Sequence, residues 1–187
     1  MALDKKLLEN FILNILSFPP DTVEDAAANW AQLIVEYAAT AEFIGTAPGI
    51  ASWSGLTDPS PIGSMFKINP VLVKAGQSIL EPALLNGFKL EDPFFVGLQL
   101  GIASFIPTLT IWNTLTYAAV VVATPVAFLT PGYFSPVIIA GLGGAKNEEI
   151  ASILSALIHV GFMASLVNGV ATNPAGLVAP IVASPII

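Results

Sequence analysis

The chain lacks two residue types on which many functional sites depend. It has no cysteine, which excludes disulfides, thiol catalysis and cysteine-based structural zinc sites. Lysine supplies all 6 basic residues, so arginine is absent as well. Arginine is the preferred side chain for binding phosphate and guanine through paired hydrogen bonds. Together with a net charge of −7, its absence argues against direct nucleic-acid binding.

Charged residues are scarce. They make up 10% of the 187 residues, while hydrophobic residues make up 55%. An ordinary globular chain has about 25% charged residues, and a free-standing monomer needs them to cover its surface. Residues 93–145 and 150–187 contain no charged side chain at all. We therefore expect lipid or other protein chains to cover much of this molecule.

Two amphipathic helices are predicted within residues 1–44. Apolar residues at helical spacing predict a first helix from Lys5 to Ser17, which Pro19 and Pro20 end. Polar residues interrupt this stretch, so it is not typical of a signal peptide. Thr22 is a suitable N-cap for a second helix that extends over the following residues to the "YAA" at 37–39. A tight turn between two such helices predicts an αα-hairpin.

The remaining chain is predicted to contain a loop and an apolar, mainly helical domain. Residues 45–64 form a Gly/Pro/Ser-rich loop, in which Trp53 is expected to be an anchor. Residues 65–187 form the domain, with irregular proline-punctuated segments and an extended tail at 170–187. Its clearest helix is expected at 148–167, with Gly169 as a left-handed cap. The predicted fold class is mainly α, although the pattern at 108–142 leaves helix and strand both open.

Candidate catalytic residues are few. His159 is the only imidazole, and Ser155 lies four residues before it on the same helical face. A single histidine on an apolar helix more often satisfies a buried hydrogen bond than it acts as a base. The "GLGGAK" segment lacks the Lys-Ser/Thr pair of a phosphate loop. We therefore predict no enzyme activity, no catalytic residue, no metal site and no cofactor.

A membrane protein is the alternative interpretation. The apolar stretches around 94–142 and 150–169 are long enough for two or three helical spans. Asn113, Pro125 and His159 interrupt these stretches, and few basic residues flank them. These features favour burial against protein, and membrane insertion remains the alternative.

Both ends of the chain have a distinctive layout. The first helix is followed by "PPD" and "VEDAAANWAQLIVEYAA", and the C-terminal part reads "GLGGAKNEEIASILSALIHVGFMASLVNGVATNPAG". Over residues 1–40 and 138–187 this layout resembles small virion structural proteins of contractile-tail bacteriophages. The resemblance implies a non-enzymatic subunit of the tail, baseplate or neck, assembled into the virion in the host cytoplasm. Its implied partners are other virion structural proteins and copies of itself.

Residues that contact such partners are predicted among the aromatic side chains and in the uncharged tail. Aromatic residues dominate the energetics of protein interfaces, and an extended tail can add a strand to a partner's sheet. The candidates are Trp30, Tyr37, Trp53, Trp112, Tyr117, Phe162, Val178, Pro180 and Ile181.

Overall fold

The computed structural model describes residues 3–45, 65–68, 70–89, 94–114, 117–174, 176 and 178–187. These residues form α-helices and β-strands in mixed order. The elements are α1 (Lys5–Ser17), α2 (Val23–Ala38), β1 (Glu42–Ile44), β2 (Met65–Ile68), α3 (Pro70–Ala75), α4 (Gln77–Phe88), α5 (Phe94–Phe105), β3 (Ile111–Asn113), β4 (Ala118–Thr124), α6 (Ser135–Leu142), α7 (Asn147–Met163), β5 (Leu166–Thr172) and β6 (Val178–Pro185). Short 3₁₀ turns lie at Ile106–Thr108 and Ala127–Leu129.

The N-terminal helices occupy the positions that their sequence predicts. The carboxylate of Asp4 accepts hydrogen bonds from the backbone amides of Lys6 and Leu7, which caps α1. The Thr22 hydroxyl oxygen accepts one from the amide of Asp25, 3.0 Å away, which caps α2. Helix α1 packs against α7, and α2 packs against α4.

All six strands of the described chain belong to one antiparallel sheet, whose order follows the sequence from β1 to β6. Its two ends meet, because Phe43 in β1 lies opposite Ile186, just after β6. The amide of Glu42 donates to the carbonyl of Ile187 at 2.8 Å, and the amide of Ile187 donates back at 2.7 Å. The sheet therefore closes on itself, and the prediction of a mainly α fold is wrong.

The segment at 108–142, for which the sequence left helix and strand both open, contains β3, β4, the 3₁₀ turn at Ala127–Leu129 and α6. In β4, Ala119, Val121 and Ala123 point inward, while Val120 and Val122 are exposed. Because both faces of the strand are apolar, the alternation that identifies a half-buried strand is hidden. Within the described ranges, no helix combines the length and the hydropathy required to cross a bilayer.

The described residues of the predicted extended tail at 170–187 belong to the sheet. They complete β5 and form β6, which pairs with β5, while the other side of β5 pairs with β4. Helix α7 ends at Met163, and Gly169 lies within β5. A Cβ atom at Gly169 would lie 2.2 Å from the carbonyl oxygen of Val120. Glycine is required there for the close approach of two strands, and it does not cap a helix.

A break separates α3 from α4 at Gly76. Pro82 lies inside α4. A Cβ atom at Gly76 would lie 2.3 Å from Cε2 of Phe105, so the break occurs where this ring from α5 packs against the chain. Of the predicted loop at 45–64, only Gly45 belongs to the described residues.

Large aromatic side chains fill the inside of the sheet. The rings of Phe43 and Phe66 stack with their centroids 4.9 Å apart, and Trp112 meets Phe43 edge-on at 5.1 Å. The indole nitrogen of Trp112 donates to the carbonyl of Leu109 at 2.9 Å, which satisfies its only donor. Alanines on the other strands leave room for these rings, at positions 119, 123, 171 and 179.

Candidate interaction surface

Most of the predicted contact residues are part of the core. The six buried candidates are at most 3% exposed: Trp30, Tyr37, Trp112, Tyr117, Phe162 and Ile181. Trp53 lies outside the described residues. Val178 and Pro180 are exposed on β6, with 59% of Val178 accessible. Contact with a partner stays a prediction, and among the described candidates Val178 and Pro180 are the two side chains exposed enough to make it directly.

The side chains of Tyr37 and His159 form a hydrogen bond between α2 and α7. The Tyr37 hydroxyl lies 2.6 Å from Nδ1 of His159, and Phe162 packs edge-on against the Tyr37 ring at 5.3 Å. Burial, with a smaller effect from Asp4, raises the pKa of Tyr37 well above its ordinary value. Burial, aided by the charge of Lys5, lowers the pKa of His159. A neutral phenol and a neutral imidazole thus share a hydrogen bond, which joins α2 to α7.

Ser155 does not contribute to this pair. Its hydroxyl donates to the carbonyl of Ser152 at 3.0 Å, within its own helix. Nδ1 of His159 is already occupied by Tyr37, so the two residues that the sequence places on one helical face are not joined as a nucleophile and base. No group of three His, Asp or Glu side chains in the described ranges could hold a metal ion.

The exposed side of β4, β5 and β6 is an apolar surface, which we call the outer sheet face. Its side chains form rows across the strands: Val120 lies opposite Val170, which lies opposite Pro180. A parallel row contains Ala118, Thr172 and Val178. The exposed fractions of its valines range from 42% to 61%, and these valines are Val120, Val122, Val170, Val178 and Val182. These three strands have no charged residue.

Asn168 is the one amide side chain on the outer sheet face. Its carbonyl oxygen accepts a hydrogen bond from the amide of Ala183 at 2.8 Å. This contact lies where the register between β5 and β6 shifts, and Ala183 has a φ of 46° there. The polar group of Asn168 is therefore used to hold a β-bulge in its own sheet.

A second exposed apolar surface lies among the helices, and we call it the helical apolar surface. It is formed by α5, the 3₁₀ turn at Ala127–Leu129 and α6, and its most exposed side chains are Leu100 at 58%, Leu129 at 63%, Ile139 at 69% and Leu142 at 86%. The side chain of Gln99 links α5 to this turn, since its amide donates to the carbonyls of Phe128 and Thr130.

The grooves in the described surface are small. One lies between α1 and α2, has a volume of about 210 Å³ and is lined by Asn14, Gln32 and Glu36 among others. Another, of about 260 Å³, is lined by residues from Pro20 to Trp30 and by Phe88. Small-molecule pockets usually have about 300–1,000 Å³, so the apolar surfaces are the more extensive features.

The valines of the outer sheet face were not among the predicted contact residues, apart from Val178. A signal for them was present, because residues 93–145 and 150–187 contain no charge and β4, β5 and β6 all lie within these two stretches. Compared with protein-family models, curated proteins and solved structures, the chain matches none.

Proposed function

We propose that this protein is a non-enzymatic structural subunit that works through contacts with other protein chains. The outer sheet face carries the proposal, because three adjacent strands present exposed valines and no charge to the surroundings. Extended apolar areas of this kind mark protein–protein or membrane contact sites. The helical apolar surface adds a second area that a neighbour can cover.

The particle that we propose is the virion of a tailed bacteriophage, with the subunit in the tail, baseplate or neck. Support comes from the likeness of residues 1–40 and 138–187 to small virion structural proteins. Its partners are then other virion structural proteins and copies of itself, and assembly takes place in the host cytoplasm. Subunits in such particles bury apolar surface permanently, and obligate interfaces are more apolar than transient ones.

Purified particles provide the test. We expect quantitative mass spectrometry to find the chain at a constant ratio to the major structural proteins across all gradient fractions that contain particles. A matched host protein of similar abundance should show no constant ratio. Cells that express the chain alone should be fractionated and washed at alkaline pH. Retention of the chain in the washed membrane pellet, together with its absence from particles, would favour the membrane alternative and contradict this proposal.

A further inference from the structure

We infer that two copies of this chain pack their outer sheet faces against each other about a two-fold axis. The inference rests on the proposed function and names one partner for the sheet surface. The sheet closes through Phe43 and Ile186, and β5 is paired on both sides. Association on this face therefore occurs through side chains, as in a sandwich of two sheets about 10 Å apart.

The side chains on this face lose little freedom when they are buried. Val120, Val170 and Pro180 form its central row. Valine is restricted at χ1 before any contact forms, and proline and alanine have almost no rotamer entropy to lose. The strand register also fixes the rows before any contact forms.

The absence of charge on the outer sheet face favours a second copy of this chain as the partner that covers it. A partner that presented an ionised group would bury it against side chains that offer no counter-charge, which is costly. The same face on another copy has no charge on β4, β5 or β6. The chain has a net charge of −7. None of the described acidic residues lies on β4, β5 or β6. Closed two-fold pairs are the commonest symmetric assemblies.

Sedimentation velocity of the purified chain tests the pairing. We expect a dimer that Val170→Lys weakens by about 100-fold or more in dissociation constant, since a lysine would be buried without a partner. Leu142→Lys is the matched control, because it adds the same charge on the helical apolar surface, at a side chain that is 86% exposed. It should leave the dimer unchanged, and circular dichroism should show that both variants fold.

Three outcomes overturn the inference: a wild-type chain that is monomeric at every concentration, a dimer that Val170→Lys leaves intact, or one that Leu142→Lys dissociates instead. None of them contradicts the proposed function, which is judged separately by the constant ratio in purified particles. A chain that is absent from particles yet dimerises through the sheet would contradict the proposed function and leave this inference standing.

Chemical cross-linking gives a second test, which does not depend on weakening the dimer with a buried charge. The chain has no cysteine, so one introduced thiol is unique. Val170→Cys and Val120→Cys should form covalent dimers with a bismaleimide that spans about 10 Å, the distance between packed sheets. Leu142→Cys should remain monomeric under the same conditions. Cross-linking at Leu142 alone would overturn the sheet-to-sheet arrangement.

Discussion

The hydroxyl of Tyr37 is a single atom that connects two helices through Nδ1 of His159, 2.6 Å away. In Tyr37→Phe the ring still packs on Phe162, but the imidazole nitrogen loses its hydrogen-bond partner. We expect the free energy of unfolding to fall by about 1–2 kcal/mol in urea denaturation. Ser78→Ala removes an exposed hydroxyl bond to the carbonyl of Ala75 and should cost less than about 0.5 kcal/mol. Equal losses for the two variants would contradict this role of Tyr37.

His159 should also make stability depend on pH. Burial and Lys5 lower its pKa in the folded chain from the ordinary value of 6.5, so the unfolded chain binds the proton first as pH falls. Stability is complete above about pH 6.5 and declines below it, toward the lower pKa of the folded state. We expect the urea midpoint of the wild type to decrease between about pH 6.5 and pH 5. His159→Gln should change much less over this interval, and parallel curves for the two proteins would refute the assignment.

Pairing between β4 and β5 depends on the absence of a side chain at Gly169. A Cβ atom there would meet the carbonyl oxygen of Val120 at 2.2 Å and Cα of Val121 at 2.6 Å. Gly169→Ala should therefore push the strands apart and lower the free energy of unfolding by about 2–4 kcal/mol. Gly141→Ala is the control, within α6. The added Cβ atom would lie 3.9 Å from Cδ1 of Ile150, so the free energy of unfolding should be unchanged or slightly higher. Thermal unfolding compares both variants, and a tolerated Gly169→Ala would contradict the described register.

Helices α1 and α2 could be predicted from the sequence because the residues that begin and end them lie close to them in the chain. Thr22 and the paired prolines at 19 and 20 act within a few residues, so they fix the ends of α1 and α2 whatever the rest of the chain does. The strand β4 is apolar on both faces, and β5 mixes polar and apolar residues on its outer face, so neither strand has a regular alternation of polar and apolar residues. Their identity depends on partners up to 54 positions away, such as Ala118 with Thr172, which one sequence does not reveal.

The same limit applies to the candidate surface. Aromatic residues were predicted as contacts because they are large and apolar, yet a closed sheet requires large side chains inside it, and Trp112 and Phe43 serve there. The exposed positions on the outer sheet face are then occupied by small β-branched residues such as Val120 and Val170. The uncharged composition of residues 93–145 and 150–187 indicated an apolar surface, but the face on which it lies follows from the strand register.

At the scale of the whole molecule, closure of the sheet joins the first strand to the last. Ile186 is fully buried opposite Phe43, and its amide donates to the carbonyl of Ser165 at 3.2 Å. Shortening the Ile186 side chain should leave a cavity where β1 meets the residues that follow β6. Ile186→Ala should therefore lower the free energy of unfolding by about 2–4 kcal/mol. Stability should decrease at this junction in particular as well as in the whole molecule, because the two hydrogen bonds between Glu42 and Ile187 lie next to the cavity.

Amide hydrogen exchange can distinguish closure from general stabilisation. In the wild type the amides of Glu42 and Ile187 should be protected, since each donates to the other's carbonyl. In Ile186→Ala these two amides should exchange faster by a larger factor than amides in the middle of β4. Ile139→Ala is the control, because this side chain is 69% exposed and its removal should change stability by less than about 0.5 kcal/mol. Uniformly faster exchange along the chain in Ile186→Ala would show that the junction is no weaker than the rest of the sheet, and the strands would then not depend on closure at this point.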